Sequence, residues 1–372
     1  MRYGMQYLKT ENVHLIKDMG MIPYKLFKRH GYKPFVITYE NGEYPYLDKE
    51  VKGLNLRFVK RIFNNFSLDG ALYLVRYAKD YDIIQIFHTT LSSFIYAYTY
   101  KIFNSKGKIY LKLDCSHKLV ERIEGLNSLQ YKMLNKAFNK MDLISVEQEE
   151  LYPKIKDLLP SQKHKIINIS NGVDFDYIKD IGLSYDFSKK ENIILSVTRV
   201  GSEEKNTSML LEAFANIEGI DKTDWKLVIV GPVEETFKEY IKGYLESYPN
   251  IVNKVIIKGN IENRKCLYEE YQRAKIFSLT SDFESFGIAF VEAAAFGDVI
   301  VSTEVGIAKE IVGDGNGVTV PIKDTKALTK ALQETIYKSN IKEISNKTYE
   351  ITKEKYDWNK VADKLYEYIS KL

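Results

Sequence analysis

Short apolar runs alternate with amphipathic stretches along the whole chain, and that alternation restricts the fold more than any other feature. In the first half the runs are VHLI (13–16), FVIT (35–38), LRFV (56–59), IIQIF (83–87), KIYLKL (108–113), LISV (143–146) and KIINI (165–169). Stretches of helical periodicity fill the gaps, at 21–30, 69–80, 91–104, 124–140 and 149–158. Mostly apolar strands separated by helices predict a parallel sheet covered on both faces. SNGVDFDYI (170–178) interrupts the pattern, which restarts with IILSVT (193–198), KLVIVG (226–231), VIIKG (255–259), KIFSLT (275–280), VIVST (299–303) and VTV (318–320). With 372 residues the chain exceeds one ordinary core. The expected architecture is α/β: two doubly wound, Rossmann-like domains facing each other across a cleft, with a ligand at the carboxyl ends of the strands. The first is expected over 1–175 and the second over 176–355. The stretch 356–372 is expected to be a C-terminal helix that packs back on the first domain.

Composition narrows the function classes. The longest apolar-leaning run, LSSFIYAYTYKIF (91–103), contains Ser, Thr and Lys and falls short of the ~20 residues of a membrane-spanning helix. The opening MRYGMQYLKTENVHL has no h-region of a signal peptide. Cys115 and Cys266 are isolated, which supports neither a disulfide framework nor a zinc motif. A cytoplasmic protein is expected. Of the 54 Lys and Arg, 27 lie in residues 1–175, against 18 of the 50 Asp and Glu, so the first half is basic and the second acidic. KLFKRHGYK (25–33) and RFVKRIF (57–63) mix cations with aromatics. They are read as solvated surface or as contacts to acidic lipid headgroups or a lipid-diphosphate acceptor. Nucleic acid is not expected, because no recognition motif accompanies the charge.

The chemistry concentrates in FESFGIAFVEAAAFG, where Glu284 and Glu292 flank a helix start. Ser285, Phe286 and Gly287 turn the chain into that helix, which carries Glu292 roughly 8 Å beyond Gly287. One carboxylate for sugar hydroxyls, backbone N–H groups for a phosphate and a second carboxylate for a ribose would suit a nucleotide-sugar. Arg199, just after IILSVT, and Lys205, at the next helix start, would clamp a diphosphate. Surface salt-bridge partners are the alternative for both. In the first half, Gly20 of DMGMIP sits before a helix, where a glycine admits a donor phosphate close to the backbone or simply makes a turn. GDGNG (313–317) precedes a strand rather than following one, so it is read as a turn and not as a dinucleotide loop.

VTRVGSEEKNTSMLLEAF (197–214), IVGP (229–232), SDFESFGIAFVEAAAFGDVIVSTEVG (281–306) and SNGVD (170–174) together resemble family 4 of the retaining glycosyltransferases, also called glycosyl transferases group 1, with the two-domain GT-B fold. The likeness covers essentially the C-terminal half; the first half matches loosely. The resemblance implies that Glu284 contacts donor-sugar hydroxyls, that Ser285, Phe286 and Gly287 bring backbone amides to sugar and phosphate, and that Glu292 binds the ribose. It implies that Arg199 and Lys205 neutralise the departing diphosphate, and it places Asn260 and Ile261 of GNIEN near the nucleobase. Asp114 ends KIYLKLD where many relatives carry a histidine, so that role does not transfer directly. Asp114 is read as a catalytic residue that meets a donor hydroxyl or orients the acceptor, or as a cap. His88 and His117 are weaker candidates on the acceptor side.

The resemblance therefore implies a retaining, metal-independent hexosyltransferase. It would move a sugar from a nucleoside-diphosphate donor, a UDP-sugar above all, to a glycan or lipid-linked acceptor in surface polysaccharide or glycoconjugate synthesis. No Asp-x-Asp motif is present and no metal or cofactor is expected beyond the donor substrate. Peripheral contact with an anionic membrane at its inner face is compatible with the basic first half. Two other readings stay open: a GT-B enzyme of another class, such as a nucleotide-sugar epimerase, and a non-catalytic glycan-binding partner subunit.

Overall fold

The computed structural model describes residues 1–313 and 315–372 and divides into two units, Met1–Gly172 with Trp358–Leu372, and Val173–Asp357. The first unit holds seven strands: β1 (Arg2–Gln6), β2 (Lys33–Thr38), β3 (Asn55–Phe58), β4 (Ile83–Phe87), β5 (Lys108–Lys112), β6 (Leu143–Val146) and β7 (Ile166–Asn168). They form one parallel sheet in the order β3-β2-β1-β4-β5-β6-β7. The second unit holds β8 (Ile193–Val197), β9 (Lys226–Val230), β10 (Val255–Gly259), β11 (Ile276–Phe277), β12 (Val299–Thr303) and β13 (Gly317–Val320). Their order is β10-β9-β8-β11-β12-β13, again parallel. Both are doubly wound: the chain moves outward from a central strand, then returns to that strand's other side. The reversal falls between β1 and β4 in one sheet and between β8 and β11 in the other. Loops leaving such a pair diverge, and ligands bind in the opening this leaves. This is the expected pair of Rossmann-like domains.

Twelve of the apolar runs become strands and one does not. VHLI (13–16) is part of a short 3-10 helix, Asn12–Ile16, whose start is tied by the Glu11 N–H donating to His14 Nδ1 at 2.9 Å. The strand that pairs with β2 and β4 is instead RYGMQ, a segment with weak apolar character. Gly4 explains part of that weakness: a Cβ there would come 2.7 Å from the Tyr81 ring. Glycine in this strand marks a close approach. Of the turn-like GDGNG, Asp314 lies outside the described residues, and Gly317 opens β13.

Two apolar layers flank each sheet. In the first unit one layer joins the helix Asp18–His30 to the helix Trp358–Ile369 through Ile22, Leu26, Trp358, Val361 and Leu365. Arg29 grips Asp363 with two hydrogen bonds, 2.7 and 2.5 Å, and His30 stacks on Tyr366 at 3.8 Å. Lys25 is buried. Within the run 25–33, Arg29 and His30 thus join a helix–helix seam, while Lys28 and Lys33 stay exposed. Among the described residues no helix is long and apolar enough to cross a membrane.

Candidate functional site

In the second unit the loops after β8 and β11 are laced together. The backbone after β8 is held down by Thr198 N–H donating to the Val230 carbonyl at 2.9 Å. Gly231 lets this happen: its φ is +138°, and a Cβ would lie 1.7 Å from the Thr198 carbonyl oxygen. From the other loop, Thr280 Oγ1 donates to the carbonyls of Lys205 and Asn206 at 3.1 and 2.9 Å. Asp282 N–H donates to the Glu204 carbonyl at 2.8 Å. These cross-links set Lys205 Nζ 2.5 Å from Glu284 Oε1, which also accepts from Ser281 Oγ at 2.8 Å. Both side chains are mostly buried, 16% and 14% exposed. A cation and a carboxylate therefore meet at the switch point, half shielded from water, where their charges act strongly.

Beyond Glu284 the chain turns at Gly287, φ +85°, into the helix Ile288–Ala294. Phe286 is buried, so its side chain serves the core, and its carbonyl accepts from Ile307 N–H at 3.0 Å. Gly306 fits beneath this loop, since a Cβ would meet the Phe286 carbonyl at 2.3 Å. Glu292 accepts from the hydroxyls of Tyr268 and Tyr271, both at 3.2 Å. Burial first, and the nearby Glu292 charge as well, push both phenols well above their ordinary range, so they stay neutral donors. Two tyrosines thus orient a carboxylate that is itself only partly covered.

The remaining sequence candidates in this unit are placed differently. Arg199 is 61% exposed and pairs with Glu204 rather than with Glu284. The alternative reading of Arg199, a surface ion pair, describes its present state. Asn260 is exposed after β10, Ile261 packs partly on the core, and Ser285 is half-buried. Ser281, Tyr268, Tyr271 and Glu204 were not singled out by the sequence. Tyr268 and Tyr271 carry the signal that could have found them, two aromatics one turn apart on the helix Arg264–Arg273.

The first unit gathers a second set of polar groups. His88 and Asp114, at the ends of β4 and β5, both have left-handed backbones, φ 60° and 46°. Such conformations cost energy in residues other than glycine and cluster at functional positions. Their side chains lie 3.8 Å apart, Nδ1 to Oδ2. Beneath them the Glu147 carboxylate accepts from Asp114 N–H and Cys115 N–H, both at 3.0 Å, and from Lys112 Nζ at 2.6 Å. Asp18 stands 3.5 Å from Lys112. Lys112 lies inside the apolar run KIYLKL, and a lysine in a buried strand requires a carboxylate partner. That was the available sign of Glu147. Burial, and then the charges of Glu147 and Asp18, push the Asp114 carboxyl up to about 6.

His117 is exposed at the start of the helix His117–Glu124, and among the described residues no hydrogen bond or ion pair joins it to the His88–Asp114 pair. Gly20 lies inside the first turn of the helix Asp18–His30, not before it. A Cβ there would come 2.0 Å from the Leu15 carbonyl oxygen, so packing alone requires glycine. Among the described residues no group of three or more His, Cys, Asp or Glu could hold a metal ion.

Comparison with known proteins gives a coherent picture. Residues 183–355 match the family model described as glycosyl transferases group 1. A probable sucrose-phosphate synthase of Thermosipho melanesiensis is 28% identical over 230 residues, 60% of this chain and 52% of that protein. The chain thus spans about half the length of that relative. An uncharacterized glycosyltransferase of Methanocaldococcus jannaschii is 24% identical over 369 residues, 90% of this chain and 88% of that one. Among solved structures, Anabaena HepE in complex with UDP and glucose has the same fold, with a TM-score of 0.73 at 16% identity over 100% of both chains.

Proposed function

We propose, for a chain whose residues 183–355 belong to glycosyl transferases group 1 and whose two Rossmann-like units give it a GT-B fold, the activity of a retaining glycosyltransferase. It moves a sugar from a nucleoside-diphosphate donor, a UDP-sugar, to a glycan or lipid-linked acceptor in surface glycoconjugate synthesis. The observation that carries this reading is the meeting of Lys205 and Glu284 at the β8/β11 switch point, with Glu292 further along the same segment. In this reading Lys205 takes the diphosphate and stabilises the negative charge that grows as it leaves, without a metal ion. Arg199 joins it on leaving Glu204. Glu284, released from Lys205, accepts from donor-sugar hydroxyls, while Ser285, Phe286 and Gly287 offer backbone groups. Glu292, held by Tyr268 and Tyr271, accepts from the ribose, and Asn260 and Ile261 border the base. Asp114 and His88 of the first unit serve the acceptor hydroxyl. UDP named with Anabaena HepE supports the choice of base for the first trial.

The test is a thermal-shift screen of nucleoside diphosphates and their sugars against the full chain. A donor at 100 times its dissociation constant stabilises by about 2.7 kcal/mol. One nucleotide series should raise the melting temperature, and its sugar conjugate should release the free diphosphate when an acceptor is added. Failure of every nucleoside diphosphate to shift the transition would overturn the proposal.

A further inference from the structure

The helices Leu91–Phe103, His117–Glu124 and Ser128–Phe138 of the first unit enclose a cavity of about 600 Å³ that the donor chemistry does not use. Its wall is apolar, with Ile95, Leu119, Leu126 and Leu134 among the lining residues. Around it Leu91 and Met133 stand 72% and 64% exposed. Lining this hollow are just two charged side chains, Arg122 and Lys136, and both are cations. Neither makes an ion pair among the described residues; the acids on Arg122's own helix, Glu121 and Glu124, are not part of the lining. The groove also includes Thr89, the residue after His88, so it begins beside the polar group at the ends of β4 and β5.

An open apolar hollow with two unpaired cations fits an anionic amphiphile. Hydrocarbon fills the wall, and a phosphate meets Arg122 and Lys136. A second copy of this chain fits worse, because a two-fold contact across this face would set its cations against one another. We propose that this groove is the binding site for the hydrocarbon chain and phosphate of a lipid-phosphate acceptor. The inference deepens the transferase reading by naming its acceptor class, and it rests on that reading for the word acceptor; the binding itself does not.

The test is a titration of the full chain with dodecyl phosphate below its micelle threshold, with inorganic phosphate and dodecyl maltoside as controls. Saturable binding of dodecyl phosphate is expected, with none of inorganic phosphate and weaker binding of the uncharged glycoside. Arg122→Glu with Lys136→Glu should weaken it roughly tenfold or more, since each cation near a lipid phosphate contributes on the order of a fivefold factor. Leu91→Gln with Met133→Gln, substitutions at exposed positions, should weaken it independently. Lys205→Ala should weaken nucleotide binding about tenfold or more yet retain dodecyl phosphate, which separates this site from the donor reading. Absence of saturable binding, or binding unchanged in both double variants, would overturn the proposal. So would self-association that disappears in Leu91→Gln with Met133→Gln while dodecyl phosphate fails to bind, since the face would then be an interface between copies.

Discussion

Lys205 and Glu284 hold one another at 2.5 Å, so under the proposed function an entering diphosphate displaces the carboxylate from the ammonium. The exchange turns an internal ion pair into two ligand contacts, and it gives each residue a separate signature. Lys205→Ala should cut turnover by roughly 10²–10³-fold, as for loss of one transition-state charge donor. Glu292→Ala should weaken donor binding by about 1–3 kcal/mol, seen in Kd rather than in folding. Glu204→Gln, which releases Arg199 from its surface partner, should tighten nucleoside-diphosphate binding; unchanged affinity would leave Arg199 as a surface residue. In the first unit Asp114 gives a pH test. Its carboxyl is pushed up to about 6, above ~3.9 in an unfolded chain. The folded state therefore binds this proton more tightly, and the residue's contribution to stability is fullest below ~pH 4 and lost as pH rises through about 6. Asparagine stays neutral throughout and tolerates a left-handed backbone. Asp114→Asn should gain on the wild type by roughly 2–3 kcal/mol between about pH 4 and pH 7, measured by urea unfolding. Parallel pH courses would contradict the assignment. Lys112→Met strands the Glu147 carboxylate and should cost about 3–5 kcal/mol.

Elements were legible in the sequence where burial on both faces demanded apolar residues, and illegible where packing replaced hydrophobicity. IIQIF and VIVST are fully buried strands and read as such. RYGMQ is just as central in its sheet, but Gly4 sits under Tyr81 and Gln6 is buried as a polar residue, so no alternating or continuous apolar signal survives. VHLI has the composition of a strand and becomes a 3-10 turn because Glu11 and His14 close it locally. The switch-point loops show the same division. Glu284, Glu292 and Lys205 were visible because their chemistry and spacing stand out. Thr280, Asp282 and Gly231 were not, because their role is to lace one backbone to another. Gly231→Ala tests that role: the substitution sets a Cβ against the Thr198 carbonyl and forces a left-sided φ on alanine. It should destabilise the second unit by about 1–3 kcal/mol and weaken nucleotide binding, although Gly231 is not assigned a ligand contact. Loss of stability with unchanged affinity would show that the loop's position does not set the site.

For the molecule as a whole, the alternation of runs was enough to read two doubly wound units, because strand order follows from short right-handed crossovers. Which residues meet at each switch point needed coordinates: Lys205 and Glu284 are 79 positions apart in sequence, and Lys112 and Glu147 are 35 apart. The cationic run 25–33 shows the limit of composition, since Arg29 and His30 pack against the chain's last helix while Lys28 and Lys33 are exposed. The most direct test of the account is calorimetric titration of UDP into the wild type, Lys205→Ala and Glu292→Ala, each shown by its unfolding curve to be folded. The account predicts saturable binding to the wild type, weakened about tenfold or more in each variant. Equal affinity in all three proteins would contradict it.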